Sequence, residues 1–252
     1  NVYVTDLNNN RIQKFSPDGT FLLTWGSLGS ENGQFNSPWA VAVDGSNNVY
    51  VTDPGYCRVQ KFSSGGTYLT QWGSSGSGDG QFSFPSGIAV GSNGYVYVAD
   101  RDQNRVQVFT STGTYVTQWG SLGSENGQFM SPGALAVDSS NNIFVADMDG
   151  SRIQIFTSTG TSIATLVTFG GDSFFSPRGM ALDETMNLYV ADAGNNRIVK
   201  LAPNNPRAQP VNFIATPVSG TAPLTVSLAD ISSVKSPTRW NWSFGDGKVF
   251  ST

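Results

Sequence analysis

The chain has no histidine in its 252 residues. That excludes histidine-ligated zinc, a Ser-His-Asp triad and the commonest general base from this sequence. There is one cysteine, Cys57, so no internal disulfide forms, and a large core does not need one. Charged residues make up only 13%, and the net charge is −4. A mildly acidic chain gains nothing from phosphate backbones, which argues against nucleic-acid binding. No apolar run approaches the roughly 18 residues of a membrane span.

What is abundant is glycine, 29 residues, together with many Ser, Thr and Asn. Such a composition suits short strands joined by tight turns and disfavours long helices. One stretch organises the rest. NVYVTDLNNNRIQKF (1–15) returns as NVYVTDPGYCRVQKF (48–62), YVYVADRDQNRVQVF (95–109), NIFVADMDGSRIQIF (142–156) and NLYVADAGNNRIVKL (187–201). Its Asp falls at 6, 53, 100, 147 and 192, and an Arg follows five residues later at 11, 58, 105, 152 and 197. The steps are 47, 47, 47 and 45 residues. A strand-rich repeat of that period points to a propeller or solenoid.

Each full repeat reads as four strands. A small-residue strand follows proline (37–44, 84–91, 131–138, 176–183), then come the two strands of the motif, then an aromatic-rich strand (20–26, 67–73, 114–120, 161–170). Small side chains suit strands converging on an axis, and Tyr, Phe and Trp suit the wider gaps further out. We therefore expect an all-β propeller of four-stranded antiparallel blades, each burying its neighbour's apolar face. The glycine-rich connections at 26–38, 73–85 and 120–132 join the blades. Phe35, Phe82 and Phe129 should pin them to the sheets.

The repeats resemble the NHL family, and the likeness runs over about 1–202. After Pro203 the texture changes. NNPRAQP (204–210) reads as a linker. The following segment, with Ala215, Pro217, Gly220, Ala222, Pro223 and the W-x-F-G-D-G run from Trp242 to Gly247, resembles the start of a PKD domain, an immunoglobulin-like sandwich. The expected domains are 1–203, a propeller that starts mid-blade; 204–210, a linker; and 211–252, a partial PKD-like domain. The NHL resemblance implies about six blades in the full ring and a longer parent protein.

The Asp-Arg pairs are read as ties across a hairpin: Asp6 with Arg11, Asp53 with Arg58, Asp100 with Arg105, Asp147 with Arg152, and Asp192 with Arg197. A feature present in every blade is blade construction. Functional residues should lie where the repeats disagree. The loops between second and third strands and the residues after each first-strand proline share one face of the disk. There Trp39, Tyr56, Arg101, Met148, Asp149 and Arg178 form the expected binding face, because Trp and Arg are common interface anchors. Trp25, Trp72 and Trp119 recur at one position and read as core. Asp246 reads as a turn residue, and Asn241 to Ser243 fits a glycosylation sequon by coincidence.

No catalytic residue, metal or cofactor is expected. NHL repeats joined to a PKD domain resemble modular surface proteins of archaea and bacteria. That resemblance implies a non-enzymatic extracellular or cell-surface module for a protein or glycan ligand. Open blade edges add a route to self-assembly. The alternative carried by the same resemblance is a propeller enzyme of lyase or lactonase type.

Overall fold

In the computed structural model, residues 1–169 and 172–202 are described. Beyond them the description covers four strand segments: Phe213–Thr216, Ser227–Asp230, Asn241–Ser243 and Val249–Ser251. The chain divides into two units, Asn1–Thr168 with Ser173–Leu201, and Phe169–Asp172 with Ala202–Thr252.

The first unit is a five-bladed propeller. Blades 2, 3 and 4 are four-stranded antiparallel sheets in sequence order. Blade 2 is built from Val41–Val43, Val49–Asp53, Arg58–Phe62 and Tyr68–Trp72, and blade 3 from Pro85–Val90, Val96–Asp100, Arg105–Phe109 and Tyr115–Trp119. Blade 4 comprises Pro132–Val137, Ile143–Asp147, Arg152–Phe156 and Ser162–Leu166. Blades 1 (Val2–Asp6, Arg11–Phe15, Phe21–Trp25) and 5 (Pro177–Leu182, Leu188–Asp192, Arg197–Leu201) are three-stranded sheets.

The small-residue strands lie innermost, and side chains of the first and second strands lace blades 1 to 4 together. Thr5 Oγ1 donates to Trp39 O (3.1 Å), Thr52 Oγ1 to Ser86 O (2.9 Å), and Ser86 Oγ to Pro132 O (3.0 Å). Glycine is required here. A Cβ on Gly87 would fall 2.1 Å from the Gly133 carbonyl oxygen of the next blade.

Each gap between blades holds one apolar cluster drawn from both sides. Between blades 2 and 3 it contains Tyr50, Val59, Phe82, Ile88, Val96, Val98 and Phe109. Phe35, Phe82 and Phe129 are wholly buried, and each belongs to a connection that bridges back on itself, Leu28 with Phe35 being the first case. Trp25, Trp72 and Trp119 are half-buried. Each packs on the turn glycine of the next blade: Gly66, Gly113 and Gly160. Full burial of a Phe stabilises by about 1.5–3 kcal/mol, so these gaps supply much of the cohesion.

In blades 2, 4 and 5 a carboxylate holds the hairpin between first and second strands. In blade 5, Asp183 accepts from the Asn187 backbone N–H and its side-chain amide (both 2.8 Å), from Thr185 Oγ1 (2.8 Å) and from Tyr189 Oη (3.1 Å). The Asn187 amide foremost, then the other donors, hold its carboxyl well below the usual range against the opposing pull of burial. A depressed carboxyl contributes stability that is present above its unfolded value of about 4 and is lost as pH falls through the folded value. Asp183→Ala should therefore melt below wild type at pH 7, and the gap should narrow steadily in acid. A gap that does not depend on pH would show that the carboxylate charge is not what holds the turn.

The second unit pairs Phe213–Thr216 with Ser227–Asp230, and Asn241–Ser243 with Val249–Ser251, both antiparallel. The linker at 204–210, Pro217, Gly220, Ala222, Pro223, Asp246 and Gly247 lie outside the described residues.

Candidate functional site at the centre of the propeller

The face is built by the Asp-Arg hairpins. Asp and Arg pair in register at the hairpin ends, Asp53 with Arg58 and Asp100 with Arg105 among them. Four residues turn the chain. In blades 1, 2, 3 and 5 they form a short 3-10 turn, and the fourth residue is left-handed: Asn10, Cys57, Asn104 and Asn196 at φ between 51 and 54°. Asn accepts that conformation more readily than Cys does. The turn constrains the backbone of its last position, and the side chains of the first three differ from blade to blade.

The ion pairs are short: 2.8 Å for Asp6–Arg11, 2.9 Å for Asp53–Arg58, 3.2 Å for Asp100–Arg105, 2.8 Å for Asp147–Arg152 and 2.8 Å for Asp192–Arg197. They also reach further than the sequence suggested. The second carboxylate oxygen accepts N–H groups of the connection leading into the same blade: Asn36 N (2.8 Å) to Asp53, Ser83 N and Phe84 N (both 3.0 Å) to Asp100, Met130 N (2.7 Å) to Asp147. The guanidinium grips carbonyls of that connection. Arg105 donates to Ser77 O (2.8 Å), Gln81 O (2.8 Å) and the Gln118 side chain (2.7 Å). Burial pushes the carboxyls of Asp53, Asp100 and Asp147 up, against the lowering pull of these donors. The ties therefore fix the segments that carry the variable side chains.

Those side chains meet. Trp39, Arg101, Met148, Asp149 and Arg178 line one cavity of about 530 Å³, with Ala40 and, from the innermost strands, Gly87, Gly133 and Ala134 also in its lining. Met148 lies over Gly133, where a Cβ would come within 2.9 Å of its sulfur. Asp149 accepts the hydroxyl proton of Ser131. Arg101 is engaged twice: Nε donates to Asp102 at 2.8 Å, and its guanidinium carbon stands 3.7 Å from the Phe84 ring centre. Arg178 is exposed and makes no hydrogen bond or ion pair among the described residues.

A second, apolar cavity of about 310 Å³ adjoins the first through Trp39. Leu7, Pro54, Gly55 and Phe84 complete its lining with Ser37. Trp39 meets Phe84 edge-on at 5.4 Å. Tyr56 lines neither cavity, and its ring stands 5.0 Å from the Arg58 guanidinium carbon. Ser86, one of the post-proline positions, is buried as a strut between inner strands. Among the described residues no three His, Cys, Asp or Glu side chains converge on a point where a metal could sit.

Sequence reasoning missed Phe84 and Asp102. Phe84 stands where the other blades carry Ser37, Ser131 and Ser176. Comparing the residue before each proline, as well as the one after it, would have found it.

NHL repeats match residues 35–62, 82–109 and 129–156, in each case a pinning phenylalanine through the third strand of a blade. Comparison with curated proteins finds no significant match. Among solved structures the chain is similar to virginiamycin B lyase from Staphylococcus aureus, with 17% identity and a TM-score of 0.59 over 80% of this chain and 62% of that one. It is similar to a streptogramin B lyase (16%, TM-score 0.57, 80% and 65%) and to a protein of unknown function from Bacteroides caccae (15%, TM-score 0.54, 80% and 72%). The chain thus spans about three fifths of the length of the lyase structures. At these identities the likeness is one of fold.

It corrects one expectation. The expectation of a non-enzymatic module came from the resemblance to modular surface proteins, together with uniform repeats and missing histidines. The neighbours are propellers that carry lyases. Uniform repeats therefore say nothing against chemistry, since a propeller's reactive groups sit on its face loops and not in its blade ties.

Proposed function

We propose that the chain is a ligand-binding propeller that works through the central cavity, within an extracellular or cell-surface protein whose segment 211–252 resembles a PKD domain. The observation that carries the reading is convergence. Side chains chosen only because they depart from the repeat, on four different blades, line one concave and partly apolar site. The Ser-, Thr- and Asn-rich, lysine-poor texture supports the location. A protein or glycan is the ligand class this reading takes. Trp39→Ala with Arg178→Ala should weaken capture on peptide and glycan arrays about tenfold or more, as for paired interface anchors. Both side chains are exposed, so the melting temperature should stay within about 2 °C. Unchanged capture would remove the site.

A second reading follows from the solved neighbours: a lyase. An inactive variant of virginiamycin B lyase replaces a histidine by alanine, and this sequence has none, so Arg178, Asp149 and Asp102 would have to do the work. Chromatographic loss of virginiamycin B on incubation with the chain supports this reading. Its persistence at stoichiometric protein removes it.

A further inference from the structure

We propose that the cavity selects a ligand in which a carboxylate stands next to an apolar group, a class that rests on the binding reading above. The charged groups facing the site are Arg101, Arg178, Asp102 and Asp149. Three are engaged: Arg101 by Asp102 and the Phe84 ring, Asp102 by Arg101, and Asp149 by Ser131. Arg178 alone is left with an open guanidinium, whose planar fork matches a carboxylate with two parallel hydrogen bonds. Its neighbour Asp149 favours a ligand whose anionic group is compact and directed at Arg178, away from that carboxylate.

The second half of the ligand is set by the adjoining cavity. Leu7, Pro54, Trp39 and Phe84 offer it almost no polar surface. A sugar ring would lose hydrogen bonds to water there without replacement, whereas an alkyl or aryl group loses nothing. Trp39 borders both cavities, so a ligand seated on its side chain is in reach of both. The chemistry fits an apolar amino-acid residue with a free carboxylate, either as a small N-acylated acid or as the last residue of a peptide.

The test is titration of the isotope-labelled 252-residue chain, read by amide resonances, with N-acetyl-phenylalanine, its amide, glucuronate, and a pentapeptide ending in Phe with a free or amidated terminus. The acid should bind at least tenfold more tightly than the amide and shift resonances of residues 37–40, 84–87 and 176–178. Arg178→Gln should abolish that preference at an unchanged melting temperature. Phe84→Ser, which installs the residue the other blades carry there, should weaken acid and amide alike and keep the preference. Tighter binding of the free-ended peptide than of N-acetyl-phenylalanine identifies a chain terminus as the source, and the reverse identifies a small acid. Equal binding of acid and amide, a preference that survives Arg178→Gln, or tighter binding of glucuronate overturns the assignment. If none of these probes binds while array capture still depends on Trp39 and Arg178, the ligand class fails and the site stands. If capture is independent of both residues, the site itself fails.

Discussion

Arg105→Ala should lower stability by about 3–5 kcal/mol, the range for removing one partner of a buried ion pair. For a chain of this size that is a fall in melting temperature of about 10 °C. Asp100 is completely buried and would lose its counterion, while the carbonyls of Ser77 and Gln81 lose their donor. The same change at Arg11, whose side chain is 40% exposed, should barely move the melting temperature, because water screens an exposed pair. One motif therefore gives two very different results according to its burial. The deficit in Arg105→Ala should also shrink as pH falls toward about 4. Burial already favours the neutral form of Asp100, and protonation removes the charge that cannot be accommodated. Adding Asp100→Ala should recover part of the loss. Equal effects at Arg105 and Arg11 would show that the ties do not hold the blades.

Phe82→Ala should cost about as much, 3–5 kcal/mol, by leaving a ring-sized void in the gap between blades 2 and 3. Phe82 is fully buried, stands 5.6 Å from Phe109 and belongs to the cluster that joins those blades. Its backbone also closes the connection, with Phe82 N donating to Ser74 O at 2.8 Å. Phe84 follows two residues later and lines the apolar cavity, with its ring against Arg101 of the other. The variant should therefore lose ligand affinity as well as stability, measurable below its melting point. A variant that melts early yet binds normally would mean that the cavity wall is held by the Asp100 bonds to Ser83 N and Phe84 N alone.

Much of this architecture was legible because a repeat says everything several times. The period placed the blades, and the recurrence of Asp and Arg at fixed spacing placed the hairpin ends. Small residues after proline placed the innermost strands. The reach of the ties was not legible. Nothing in the spacing of Arg58 and Asp53 shows that the guanidinium also holds Ser30 O and Gln34 O of the preceding connection. Carbonyl partners leave no mark on sequence, since every residue has one. At the site, comparing equivalent positions brought out Trp39, Arg101, Met148, Asp149 and Arg178, because loop side chains there answer to no packing constraint. The same comparison brought out Tyr56, whose loop lines a cavity through Pro54 and Gly55 while its own ring turns to Arg58. Spacing shows which loop a residue is on, and rotamer and neighbour decide where its side chain goes. The unpaired state of Arg178 is a fact of the same kind. Arg101 and Arg178 look alike in sequence, and only the fold shows that Asp102 and Phe84 occupy one of them.

Labour in this chain is divided between uniform blades that build and divergent loops that bind. Hydrogen exchange of the chain with a captured peptide or glycan tests that division most directly. Protection should concentrate at residues 37–40, 84–87, 101–103, 148–149 and 176–178, around the cavity shared by four blades. Protection confined to the hairpins at 45–48, 92–95 and 139–142, which join first to second strands, would contradict it.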